Sequence, residues 1–397
     1  MVTDAEELRR LVRARTAVFC LFASFGIVIA TWAVHLPSVK DVTGISTSLL
    51  GAILLILGAG AMIGMQVAGA LVDKFGSGPV GVVGVAGMAV ALLLPLAATT
   101  WVWVAAGAIV LGFATGTAEV GMNAAAVDVE RDYGRPIMAA FHGVFSIGTV
   151  VGALVGAAGF AIAAGVFETA LLVSVTALVV VGVAAVVLLR RRPPLPAEEP
   201  ELVAPDEQAP PRGRVVVLGA LAFLLLLAEG SAMDWSSLHA QQHLGASPSI
   251  GSLALGSFVA AMTVVRFSID RVVERVGPVR VVRWCAVTAV AGFAIVMASP
   301  WLPLTLVGWV VVGLGLSGGV PQVFTAAGNV GGSSGRALSR VVGTGYLAIL
   351  AGPGVIGWLA DRITLNTAFV LPLAGVLVCA AMAAAVAPRR PSGEQAE

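Results

Sequence analysis

The chain has 397 residues, 58% hydrophobic and only 11% charged, with a formal net charge of +1. An ordinary soluble domain carries about a quarter charged residues, so this deficit excludes a typical cytosolic enzyme. A near-neutral chain also gives no reason to expect a nucleic-acid partner.

Crossing the hydrocarbon core takes ~20 consecutive apolar residues. In chain order, runs of that kind fall at 16–36, 47–72, 79–99, 102–126, 137–163, 167–189, 215–238, 249–269, 279–299, 302–328, 338–360 and 366–387. Backbone groups in lipid need partners within their own segment, so the runs are expected to be helices. A membrane β-barrel would alternate apolar and polar residues, whereas Val, Leu, Ala and Gly run here without alternation. The 48 glycines suit close helix–helix approach. Arginines before the first run imitate a signal peptide, but the run is of full span length and no small-x-small cleavage site follows, so it reads as an uncleaved first helix. Cys20, Cys285 and Cys379 lie in or beside spans, and an odd number in such places reads as reduced packing residues.

Twelve spans put both termini on one side. That side holds Arg9, Arg10, Arg13 and Arg15 before the first helix, then Lys74, Arg131, Arg135 and the arginines of the central linker. Arg271, Arg275, Arg280, Arg283, Arg336, Arg340, Arg389 and Arg390 complete it, while the other side has Lys40 and Arg362 alone. The positive-inside rule therefore predicts a cell-membrane protein with both termini in the cytoplasm.

Residues 190–214, "RRRPPLPAEEPELVAPDEQAPPRGR", are rich in Pro and Glu and are expected to form a disordered cytoplasmic linker. The expected organisation is a cytoplasmic N-terminus (1–15), a six-helix bundle (16–189), the linker (190–214), a second six-helix bundle (215–387) and a cytoplasmic tail (388–397). The halves echo each other. "TWAVHLP" (31–37) sets Trp32 beside Trp235 of "DWSSLHA" (234–240), and "GALVDKFGSGPV" (69–80) matches "VRFSIDRVVERVGPV" (265–279) through Asp73-Lys74 and Asp270-Arg271. The fold class expected is an all-α membrane protein of twelve transmembrane helices in two pseudo-symmetric bundles. Such repeats place a transport site between the halves near the membrane midplane.

With these segments in view, the chain resembles the major facilitator superfamily, whose loop motif "GALVDKFGSG" follows. It further resembles the bacterial inner-membrane YbjJ-like branch near the fucose–proton symporters, through "TAEVGMNAAAVDVER" (117–131), "FHGVFSIGTVVGA" (141–153), "AEGSAMDW" (228–235), "MTVVRF" (262–267) and "GTGYLAILAGP" (343–353). The resemblance implies the major facilitator fold and a secondary transporter working by alternating access. It also matches Glu119 and Asn123 to the Glu-x-x-x-Asn of the sugar–proton symporters, whose acid carries the proton. The acid those symporters hold on the first helix is missing here, where Thr31, Trp32 and His35 stand instead.

Polar side chains inside spans are costly, and each asks for a reason. A carboxyl in a low-dielectric crevice can exchange protons near neutral pH, so Glu119 reads as the proton carrier, with Asn123 one turn on; the rival reading is a structural hydrogen bond. His142 stands either as a relay partner of Glu119 or as a histidine satisfied by a carbonyl. Glu229 and Asp234 are five residues apart and diverge by about 140° around a helix, so one is expected to face the crevice, Glu229 by preference, and the other a neighbouring helix. Trp32 and Trp235 either flank a cargo or belong to an aromatic belt. His35 and Gln322 are further cavity candidates. Arg266 is expected near the inner end of the eighth helix, in a gate of ion pairs with Asp73, Lys74, Asp270 and Arg271; a static anchor is the alternative. Pro321 and the Gly352-Pro353-Gly354 run are expected to kink the tenth and eleventh helices. "GGSSGR" (331–336) lacks the Lys of a phosphate loop.

The expected partners are a small polar organic solute, neutral or cationic and sugar-like, the proton and the lipid bilayer. No cofactor, metal or enzymatic activity is expected, and the working unit is expected to be a monomer. A proton-driven exporter of drugs or a secreted metabolite is the alternative function, and a non-transporting solute receptor a more distant one.

Overall fold

The structure is a computed structural model describing residues 2–134, 137–190, 212–329 and 334–387. The linker reading at 191–211 and the tail at 388–397 lie outside the described residues, as do the first residues of "GGSSGR". In the first half, α1 is Val2–Thr43, α2 Thr47–Phe75, α3 Ser77–Ala91, α4 Leu93–Ala97, α5 Trp101–Tyr133, α6 Met138–Ala161 and α7 Val166–Leu188. The second half holds α8 Arg212–Leu244, α9 Pro248–Arg266, α10 Ile269–Val276, α11 Pro278–Ala298, α12 Leu302–Leu316, α13 Gly319–Gly328, α14 Ser334–Ile363, α15 Leu365–Ala368 and α16 Val370–Ala381, closed by a 3-10 turn at Ala383–Val386.

Eleven helical segments are long and apolar enough to cross a membrane, and Leu365–Ala381 supplies a shorter, broken twelfth. The twelve spans form two bundles of six that meet along α2 with α14 and along α6 with α9. One end, called the linker end below, carries residues 190 and 212 on either side of the linker and the turns at 76 and 277. The other, called the far end below, carries the turns at 44–46 and 245–247. Local chemistry sets these turns. Ser46 caps α2 by accepting from the Leu49 amide, and Ser247 does the same for α9, with Pro248 in its first turn.

Glycines bring α5 into backbone contact with its neighbours. A Cβ at Gly112 would strike the Leu57 carbonyl, and one at Gly116 the Ala61 carbonyl, while Gly60 and Gly64 of α2 meet Ile109 and Phe113 in return. Such small-residue seams hold membrane helices by packing where no hydrophobic gradient exists. The seam fixes the rotation of α5 and so the direction of its polar face.

Three expectations need correction. The eighth span breaks at Phe267–Ser268, so Arg266 ends α9 and the separate eight-residue α10 lies between it and the linker end. The tenth span breaks at Ser317–Gly318, as Pro321 demands by withholding an N–H from the carbonyl four residues before it, but α14 runs unbroken through Pro353. Prolines are tolerated in membrane spans, and Pro353 sits where α14 packs on α2, its carbonyl against Gly51. The repeat register also shifts. Gly76 (φ 88, ψ 162) and Gly277 (φ 83, ψ 157) precede α3 and α11 in the same left-handed conformation. Matching them sets Glu274-Arg275, in place of Asp270-Arg271, opposite Asp73-Lys74.

Candidate functional site

The polar residues gather at mid-depth between the bundles. At 1.5 Å per residue, Glu119 lies about 27 Å along α5 from its far end, Tyr346 about 26 Å down α14, Arg266 about 27 Å down α9 and Glu229 about 22 Å down α8. Asp234 lies nearer the far end, at about 15 Å by the same rise.

Glu119 is joined to the opposite bundle: the Tyr346 hydroxyl donates to its Oε1 at 3.0 Å. Asn123 turns away from that carboxyl, its Nδ2 donating to the Glu119 backbone carbonyl at 2.8 Å. His142 is exposed, stands edge-on to Phe22 at 5.4 Å and lies within the electrostatic reach of Arg266. The structure therefore sets His142 beside Arg266 and gives Glu119 a tyrosine partner.

Arg266 pairs with Glu229, Nη2 to Oε1 at 2.9 Å, the side chains 30% and 17% exposed. The expectation of Arg266 in a gate with Asp73, Lys74, Asp270 and Arg271 is thus corrected, because the break after α9 holds Arg266 at mid-depth. Asp73, Lys74 and Arg271 are exposed at the linker end, Lys74 lying over the Phe75 ring at 5.1 Å, and the Asp270 side chain lies outside the described residues.

The two α8 acids have different surroundings. Glu229 is matched by Arg266, whereas half-buried Asp234 forms no hydrogen bond or ion pair among the described residues. One turn before Asp234, a Cβ on Gly230 would meet nothing within 4 Å. That face of α8 opens on free space.

Trp32 and Trp235 are 2% and 0% exposed, so neither offers a ring face to a cargo. Trp235 packs against Gly357 of α14, and both indole Nε1 groups lack a partner among the described residues. His35 is buried with its Nδ1 2.7 Å from the Thr31 carbonyl and its ring 5.0 Å from Phe160, a helix-packing role. Gln322 is buried on α13 with no hydrogen bond among the described residues.

Two functional contacts carried little sequence signal. Tyr346 is one of only two tyrosines, a rarity that could have flagged it. Asp361, at the far end of α14, reads as an ordinary loop acid. Its carboxylate nevertheless accepts from the backbone N–H groups of Thr47 at 3.0 Å and Ser48 at 2.8 Å, capping α2 of the other bundle. At the second interface of that end, the Ser249 hydroxyl donates to the Ala157 carbonyl at 2.8 Å.

Two six-helix bundles meeting around a mid-membrane belt of charges define a multi-pass membrane transporter. The family model for the Major Facilitator Superfamily matches residues 16–233 and 218–397, and the chain belongs to that family. An uncharacterised transporter of this type from Yersinia pestis is 35% identical over 365 residues, 91% of this chain and 92% of the relative. Among solved structures, the nucleoside transporter NupG matches with TM-score 0.68 and 16% identity, over 96% of this chain and 98% of that one. The fucose transporter FucP in its outward conformation matches with TM-score 0.61 and 15% identity, over 94% and 99%. At such identities the two structures speak for the fold alone.

Proposed function

We propose that the protein moves a small polar organic solute across the cell membrane by alternating access, coupled to protons through Glu119. The supporting observation is the bond between Glu119 on α5 and Tyr346 on α14, which links a mid-membrane acid of one bundle to a hydroxyl of the other. A carboxylate accepts a hydrogen bond more strongly than a neutral acid. The charge on Glu119 and the approach of the bundles therefore belong to one equilibrium, which is what coupling requires.

In this reading the linker end faces the cytoplasm, where Lys and Arg are concentrated. The contacts of Asp361 and Ser249 hold the far end shut, leaving the crevice reachable from the linker end. The transporter works as a monomer. Proteoliposomes with an imposed pH gradient test the reading: wild type accumulates its solute against a gradient, and Glu119→Gln exchanges labelled solute by counterflow but no longer accumulates it. Accumulation by Glu119→Gln equal to wild type would leave Glu119 a structural residue and end the proton-coupled reading.

A further inference from the structure

The carboxylate of Asp234 has no partner, although it sits inside a span. Charged groups within the bilayer are costly and are ordinarily paired or placed against water. The chain demonstrates the ordinary solution five residues earlier, where Glu229 holds Arg266 at 2.9 Å. Asp234 lacks this arrangement.

The surroundings of α8 decide what Asp234 faces. Helix α8 packs against α9, α12, α13, α14, α15, α16 and the closing 3-10 turn of its own bundle and against α1 of the other. Ala228, Ala232, Trp235 and His239 are buried in those contacts. The stripe left partly open runs through Gly230, Met233 and Asp234, with Gly230 and Asp234 one helical turn apart. Space around Gly230 is open to at least 4 Å. Because α8 packs on its own bundle and also on α1 of the other, the opening is assigned here to the crevice between the bundles.

The charge balance there is specific. Arg266 is matched by Glu229, and Lys and Arg are otherwise absent from the middle of the spans. An anionic cargo group would meet an uncompensated acid, and a purely neutral cargo would leave that acid without a counter-charge. A group carrying one positive charge and N–H donors answers both problems, and an ammonium supplies both.

We propose that Asp234 is the counter-ion of the cargo, receiving a protonated amine of a small hydrophilic solute in the open stripe beside Gly230. This rests on the transporter reading above and narrows its solute class. The Glu229–Arg266 pair lies next to the stripe and is available to the solute's hydroxyl groups. Cargo carrying a single amine then enters with its charge neutralised and crosses without a bare ion in the membrane.

Carbodiimide labelling of the full chain in lipid nanodiscs tests the site without knowledge of the natural cargo. Dicyclohexylcarbodiimide reacts with carboxyls in apolar surroundings, and mass spectrometry reads the label at Asp234. Expected is clear labelling in buffer, reduced at least fivefold by methylammonium or ethanolamine and unchanged by ethylene glycol or by sodium at the same concentration. Equal labelling with and without amine overturns the proposal. So does protection by sodium alone, which would make the site a metal-ion one, or the absence of label in buffer, which would close the carboxyl off from the crevice. Asp234→Asn, with an unchanged melting temperature, is expected to lose amine-dependent thermal stabilisation, and Asp234→Glu to keep part of it. Proton movement with Glu119→Gln is measured separately. Amine protection at Asp234 without proton coupling at Glu119 would sink the coupling reading and leave this one standing.

Discussion

The Tyr346 hydroxyl reaches Glu119 Oε1 at 3.0 Å from a helix that begins more than two hundred residues later in the chain. A hydrogen bond to a charged acceptor contributes about 1.5–3 kcal/mol, roughly twice a neutral one. Removing it with Tyr346→Phe withdraws support from the ionised acid. The expected outcome is a pH profile of solute accumulation displaced from that of wild type. The profile is measured in proteoliposomes against wild type. An unmoved profile with normal transport would show that the hydroxyl has no hold on the proton step.

The Glu229–Arg266 pair predicts non-additive mutants. Removing one partner of a fully buried pair leaves an uncompensated charge and costs about 3–5 kcal/mol, whereas replacing both is often tolerated; this pair is 30% and 17% exposed, so a smaller loss of the same kind is expected. Glu229→Gln and Arg266→Gln are each expected to lower the melting temperature. The double mutant is expected to recover more than half of the loss, as read from a double-mutant cycle of thermal melts. Additive losses would mean that the two charges do not depend on each other.

Asp361 predicts a shift between two conformations. Asp361→Ala deletes both acceptors for the Thr47 and Ser48 amides, and each such bond contributes about 1 kcal/mol near solvent. Together they make about 2 kcal/mol, so the ratio of open to shut far ends is expected to rise about thirtyfold. Pulsed spin-label distances between cysteines placed at Asp41 and Gln242, both exposed at that end, are expected to gain a longer population. Asp361→Asn, which keeps one acceptor oxygen, is expected to fall between.

The α2–α5 seam predicts steric intolerance. Gly116→Ala places a methyl group on the Ala61 carbonyl, and overpacking of this kind costs about 1–3 kcal/mol. The expected result is a lower melting temperature together with weakened pH dependence, since α5 carries Glu119. Gly182→Ala meets nothing within 4 Å and is the control expected to melt like wild type.

The spans were legible because apolar length is a direct demand of the bilayer, and the repeat was legible because both halves keep an acid–base step before a glycine. Its register depends on a backbone angle that residue types do not report: only the left-handed conformation of Gly76 and Gly277 ties Lys74 to Arg275. The break at Phe267–Ser268 left no mark, since neither residue is a helix breaker. With the break unseen, Arg266 was placed too close to the linker end, and its pairing with Glu229 on another helix was out of reach. Which α8 acid faces the crevice depends on what surrounds the helix, and periodicity within one span cannot report that. Tyr346 and Asp361 act across the interface, so their importance exists only once the halves are put together.

The interruption between α9 and α10 gives the Glu229–Arg266 bond a second duty. Where a helix loses its continuous ladder it would normally become a swivel, free to bend as the protein rocks. Here the last residue before the gap is tethered by charge to the neighbouring span, so the elbow is braced on one side and loose on the other. Bending at the gap would then swing the eight-residue α10 against a fixed α9. A solute that drew Glu229 away from Arg266 would release the brace, so that occupancy of the crevice would itself decide how stiff the inner arm is.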